Sequence, residues 1–131
     1  MIISKDRGKC RHRGNNDQRC RVRQYYIDEE VFRDASEKCD ILLLNDEKRE
    51  AYFIELKGQD IEKAIRQVEV TSSKLKEELS GYLFYYRIIY RTGSHGVQSS
   101  STIKWKERMG RNMKNNKAYA VVKNMYYEEG I

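Results

Sequence analysis

Residues 39–58, CDILLLNDEKREAYFIELKG, carry two apolar runs on either side of a charged stretch, and the way those runs pair decides the fold. Both runs are strand-length and rich in aliphatic, β-branched and aromatic residues, and the charged residues between them read as a turn, so the segment predicts a β-hairpin. Folded symmetrically about that turn, facing residues have numbers that sum to about 95. Leu42 then faces Phe53, Leu44 faces Ala51, and both pairs lie on one side of the sheet, with Ile41–Ile54 and Leu43–Tyr52 on the other. Asp40 falls opposite Glu55, and Lys57, two residues further along, shares their face. Two acids and a lysine are thus gathered at the end of the hairpin away from its turn. A slip of one residue would put Asp40 and Glu55 on opposite faces.

Past the hairpin the period changes. Ile61, Ala64, Ile65, Val68, Leu75 and Leu79 recur at helical spacing, with Asp60 placed to cap the N-terminus and Gly81 to stop the C-terminus. GYLFYYRIIYR (residues 81–91) reads as a buried strand, and TGSHGVQSSS (92–101) as a loop ending in cap residues. A second helix is predicted from about Ser101 to Gly110, with Trp105 and Met109 as an apolar i, i+4 pair. KAYAVVKNMYY (117–127) is a last strand, after which the chain ends acidic and short. Upstream, RVRQYYI (21–27) is strand-like, with VFRDA (31–35) as its short return, and residues 1–21 read as a basic arm or irregular segment. This order predicts a single α/β (α+β) domain: a mixed sheet flanked by helices, with one βαβ crossover from the ELKG strand to YLFYYRIIY at its centre.

The chain has 131 residues, enough for one core, and 26 basic residues against 20 acidic ones give it a net charge of +6. The excess favours a polyanionic partner, nucleic acid before others. No run is long and apolar enough to span a bilayer, and the polar N-terminus MIISKDRGKC does not read as a signal peptide, so no membrane partner and a cytoplasmic location are expected. Of the three cysteines, Cys39 sits in strand-like sequence as a packing residue. Cys10, His12 and Cys20 invite a zinc reading, although their spacing matches no familiar closed site.

Two opposed carboxylates repel unless a positive charge sits between them. A hard divalent cation supplies it: Mg²⁺ (or Mn²⁺) takes oxygen ligands from one or two carboxylates, here Asp40 and Glu55, and a backbone carbonyl such as that of Leu56 can join the set. An ion so held polarises a phosphoryl oxygen and lowers the pKa of an attacking water. Lys57 is then placed to orient or deprotonate the nucleophile, or to stabilise charge on the phosphate. The plain alternative is a cross-strand ion cluster at a sheet rim.

Asp40 after Cys39, fourteen residues of hairpin, Glu55-Leu56-Lys57, and a following helix that carries Gln67 together resemble the core of the PD-(D/E)xK nuclease superfamily, the restriction-endonuclease-like fold. The resemblance covers residues 38 to 91. It implies a mixed β-sheet flanked by helices, Asp40 and Glu55 as metal ligands, Lys57 as base or orienter, and Gln67 as support on the helix. The family's proline is replaced by Cys39. Its first acid, which comes from an N-terminal helix, has no assigned counterpart; Glu29, Glu30 and Glu37 are the candidates. The expected function is that of a Mg²⁺-dependent DNA endonuclease that cuts by metal-activated water, DNA before RNA. Structure-specific cutting is favoured because a domain this small has little surface for base readout. Four-way-junction resolvases of this fold have similar length and are dimeric, which makes a homodimer part of the analogy.

Other residues carry softer signals. His95 in GSHG could meet a phosphate, though a surface histidine is the plainer reading. Tyr82, Tyr85, Tyr86 and Tyr90 could stack on bases, but their spacing puts them on both faces of one strand, as core residues. Lys104, Lys106, Arg108, Arg111 and Lys114, with Arg11, Arg13, Arg19, Arg21 and Arg23, are the natural phosphate contacts. Two rival readings are a nuclease-like module that binds nucleic acid or protein without cutting, and a zinc-stabilised interaction domain.

Overall fold

The structure is a computed structural model that describes residues 1–5, 9–34 and 37–131, including every side chain in those ranges except those of Lys57 and Gly58. In chain order its elements are β1 (Ile2–Lys5), β2 (Arg11–Asn15), β3 (Val22–Tyr26), α1 (Ile27–Glu30), β4 (Ile41–Asn45), β5 (Glu50–Asp60), α2 (Ile61–Lys74), β6 (Leu83–His95), α3 (Ser100–Met109), β7 (Ala120–Asn124) and β8 (Tyr126–Gly130).

The hairpin forms in the expected register. Ile41 pairs with Ile54, Leu42 with Phe53, Leu43 with Tyr52 and Leu44 with Ala51. Asn45 closes the turn by accepting a hydrogen bond from the Lys48 amide at 3.0 Å, the local bond that makes asparagine a turn residue. Arg49 takes the left-handed conformation the reversal needs, with φ of 58°. Strands β3 and β4 flank the hairpin on one side and β6 and β7 on the other, giving the order β3-β4-β5-β6-β7. The first two pairings are antiparallel and the last two parallel. The parallel pairs are joined through α2 and α3, as parallel neighbours require.

The pleat divides the core in two. On one face Leu42, Leu44, Ala51, Phe53, Tyr86 and Ile88 pack against Ile61, Ala64, Ile65 and Val68 of α2 and Trp105 of α3. On the other Ile41, Leu43, Tyr52, Ile54, Tyr85 and Ile89 meet Cys10 and Ile131. That second face is where β1, β2 and β8 form a separate three-stranded sheet in the order β1-β2-β8. The fold is therefore mixed α/β with two mixed sheets, helices covering one face of the larger sheet. The four tyrosines of the β6 region do split between faces: Tyr82, Tyr86 and Tyr90 belong to the helix side, and Tyr85 to the other.

Several expectations need correction. Within residues 1–21, the described part includes two strands of a small sheet and is not an arm; Arg11 pairs with Tyr126 and Asn15 with Gly130, a partnership across the whole chain that local sequence cannot show. The stretch expected as one last strand divides at Met125, whose φ of 65° turns the chain out of the large sheet and into the small one. The residues after β3 do not return as a strand, because Ile27 is fully buried and its amide bonds the Asp40 carbonyl at 2.9 Å, which starts a helical turn. Helix α2 stops at Lys74, before Gly81. Near that end the Thr71 and Ser72 hydroxyls donate back to the carbonyls of Gln67 and Glu69, and such bonds compete with helix continuation.

Candidate functional site

Asp40 stands one residue before β4, and Glu55 lies in the middle of β5. Continuing the observed register by one step sets them opposite each other on the face covered by α2, as expected. The backbone completes the junction: the Asp40 amide donates to the Ile54 carbonyl at 3.1 Å, and the Leu56 amide donates to Asp40 Oδ2 at 2.8 Å. A backbone donor to a carboxylate is a charge-assisted bond, and it fixes the Asp40 side chain toward Glu55.

The two acids have different surroundings. Asp40 is exposed, whereas Glu55 is only 7% exposed. Burial, then the charge of Asp40 and a hydrogen bond between the two side chains, push the Glu55 carboxyl up to about 9, with Lys63 acting weakly the other way. At neutral pH the pair therefore holds a proton. Glu55 Oε1 is buried with no hydrogen-bond partner, a cost that native proteins seldom leave standing. Burial and the same two acids also push the Cys39 thiol up, so Cys39, 1% exposed, is a packing residue as expected.

Helix α2 braces the approach to Asp40 from two positions one turn apart. Gln67 Nε2 donates to the Lys38 carbonyl at 3.2 Å, and Thr71 Oγ1 accepts from the Cys39 amide at 2.9 Å. Gln67 thus reaches the segment that leads into Asp40, through the backbone. Thr71 was not among the residues singled out, and its i, i+4 relation to Gln67 on the helix was the available signal. The backbone of Leu56 is at the pair through its amide, and β5 is bulged against β6 between Leu56 and Gly58. The Lys57 side chain lies outside the described residues.

The three candidates for a further acid have partners of their own among the described residues. Glu37 is 3.6 Å from Arg66, Glu30 accepts from the Tyr26 amide at 2.9 Å, and the Glu29 carbonyl accepts from Arg33. Among the described residues no group of three His, Cys, Asp or Glu side chains is placed to hold a metal ion. Cys10, His12 and Cys20 do not form such a group among the described residues either. His12 Nε2 is 2.7 Å from Glu129 Oε2, Cys10 is packed in the core, and the Cys20 amide is held by Asn16.

Among the basic residues, Lys104, Arg108, Arg111 and Lys114 are exposed on α3 and its exit, while Lys106 is half-buried. At the β3 edge of the large sheet Arg23 is neutralised by Asp46 at 2.7 Å, and on the small sheet Arg13 lies 3.7 Å from Glu128. Among the described residues no helix is long and apolar enough to cross a membrane. Compared with protein families, curated proteins and solved structures, the chain matches none.

Proposed function

We propose that the protein is a metal-dependent phosphodiesterase acting on nucleic acid, DNA before RNA, with Asp40 and Glu55 as its centre. The observation that carries this reading is the buried, partnerless Glu55 Oε1 beside a second carboxylate. An oxygen-only donor set of this kind fits a hard cation, Mg²⁺ or Mn²⁺, and suits transition metals of the thiolate-binding kind poorly. Asp40 and Glu55 would hold the ion, with the Leu56 carbonyl as a further oxygen, and its chemistry there is to polarise a phosphoryl oxygen and acidify a water.

The chain's own residues prepare that site. The Leu56 amide, donating to Asp40 Oδ2, keeps that carboxylate aimed at the site. Gln67 and Thr71 hold the backbone on which Asp40 sits, so its position does not depend on an exposed loop. A cation held here would require Glu55 to be ionised, which would tie affinity to pH. Lys57 serves as orienter or base for the attacking water.

A second reading, a nucleic-acid-binding module without hydrolysis, is favoured by the two-acid count of the pair. Cleavage of labelled duplex, single strand, flap and four-way junction in Mg²⁺ and in Mn²⁺ separates the two, with wild type and Asp40→Ala side by side. We expect metal-dependent cutting that the substitution removes. Equal binding by both proteins with no cutting by either sinks the hydrolase and leaves the module.

A further inference from the structure

Strands β5 and β6 run side by side until Tyr90, which pairs with Gly58; their next pairing is His95 with Asp60. Between those two rungs β5 spends one residue, Gln59, and β6 spends four, Arg91–Ser94. The surplus must leave the plane of the sheet, and Gly93, with φ of 88°, takes the left-handed conformation that this excursion requires. The result is a hollow of about 330 Å³ lined by Gln59, Arg91, Thr92, Gly93, Ser94 and His95.

Both ends of this excursion are anchored. The Tyr90 carbonyl accepts from the Met125 amide at 2.8 Å, and the Ser94 hydroxyl closes back on the Arg91 carbonyl at 2.6 Å. At the far rung Asp60 is occupied capping α2 through the amides of Glu62 and Lys63. The lining contains neither an acid nor an apolar side chain. Many basic side chains elsewhere have a carboxylate within reach, Arg13, Arg23, Lys38, Arg66, Lys74 and Arg87 among them. Among the described residues Arg91 and His95 have none.

A preformed polar hollow with an unpaired guanidinium and an imidazole selects an anion with several acceptor oxygens, and arginine matches phosphate in two-pronged geometry. Its position supplies the rest. Gln59 is four residues beyond Glu55 on the same strand, about 13 Å at an ordinary strand rise. Along a duplex axis that is about four base steps. We propose that the β6 bulge is a phosphate seat for a nucleic-acid strand, holding a backbone phosphate a few nucleotides from the Asp40–Glu55 pair. This deepens the functional reading above and rests on it for the identity of the ligand's other end.

The test is binding in EDTA, where hydrolysis plays no part, of the same oligonucleotide as duplex DNA, single-stranded DNA and single-stranded RNA, over a range of salt. Wild type is compared with Arg91→Gln, with Arg91→Gln/His95→Gln, and with Lys76→Gln as a charge removed elsewhere. The Arg91 variants should bind several-fold more weakly, with the duplex salt slope shallower by about 0.9, the share of one phosphate contact. Lys76→Gln should lose less. Amide resonances of residues 91–95 should also shift when wild type is titrated with inorganic phosphate. Equal affinity and equal slope in wild type and Arg91→Gln, or phosphate shifts that spare residues 91–95, overturn the seat. Failure of the hydrolase reading shows separately, as a lack of metal-dependent cutting with binding through Arg91 intact.

Discussion

At the scale of single residues the most consequential side chain is Glu55. Its carboxyl is held near 9 in the folded protein by burial and by Asp40, against an ordinary value of 4.5 when unfolded. The native state therefore keeps a proton that the unfolded chain has lost, over the window between those two values. Stability must fall as pH rises from about 4.5 toward 9, and the accumulated penalty is of the order of a few kcal/mol. Glu55→Gln removes the titrating group while keeping its shape. In metal-free buffer, urea unfolding at pH 5 and at pH 9 should show a steep loss for wild type and a much smaller one for Glu55→Gln. Parallel profiles for the two proteins would mean that Glu55 ionises normally and is not the strained member of the pair.

At the scale of elements the site depends on how α2 is fastened to the start of β4. Thr71 takes the Cys39 amide, a buried donor whose neighbour in the chain is Asp40. Thr71→Val keeps the shape and leaves that donor unpaired, which should cost about 1–3 kcal/mol in chemical denaturation. If the substitution is neutral, water or a backbone shift has replaced the bond. Much of this architecture could be read from sequence. The β4–β5 register followed from the apolar runs around a short charged turn, and with it the meeting of Asp40 and Glu55. Helix α3 followed from Ser99–Ser101 and the Trp105 spacing, starting one residue earlier than expected. The β6 bulge was hidden because a loop rich in glycine, serine and threonine reads the same whether or not it rejoins a ladder. Helix α2 ended early because hydroxyl side chains break a helix without disturbing the apolar spacing; Leu75 and Leu79 are still 8% and 7% exposed.

At the scale of the whole molecule, the two sheets are joined by a buried ionic network that sequence reading missed. Arg87, fully buried in the middle of β6, grips Glu129 of β8 with Nε at 2.8 Å and Nη2 at 2.9 Å, and His12 of β2 meets the same carboxylate. The guanidinium lies over the rings of Tyr52, Tyr85 and Tyr127. Hydrophobic patterning gives no hint of such a set, since an arginine within an aromatic strand and a glutamate near a chain end both read as surface. Burial alone pushes the Glu129 carboxyl up, but the bonds from His12 and Arg87 outweigh it and hold the group down at about 2. Its contribution is thus complete above about 4.5 and is lost as pH falls toward 2. Glu129→Gln leaves the Arg87 charge buried without compensation, and breaking a pair in this way costs about 3–5 kcal/mol. Denaturation at pH 7 should show that loss, and the difference from wild type should shrink in acid. A difference that stays constant down to pH 2 would contradict an ionised Glu129.

The pairing of β2 with β8 also has a consequence in time. Arg11 meets Tyr126, so the second partner is added 115 residues after the first. At about 5–20 residues per second, β2 leaves the ribosome roughly 6 to 23 s before a strand exists for it to join. During that interval the hairpin, α2 and β6 can assemble, while Arg87 has no carboxylate to meet on β8. The half of the molecule that bears the acid pair is thus built first, and its central strand stays ionically incomplete until the most distant strand arrives.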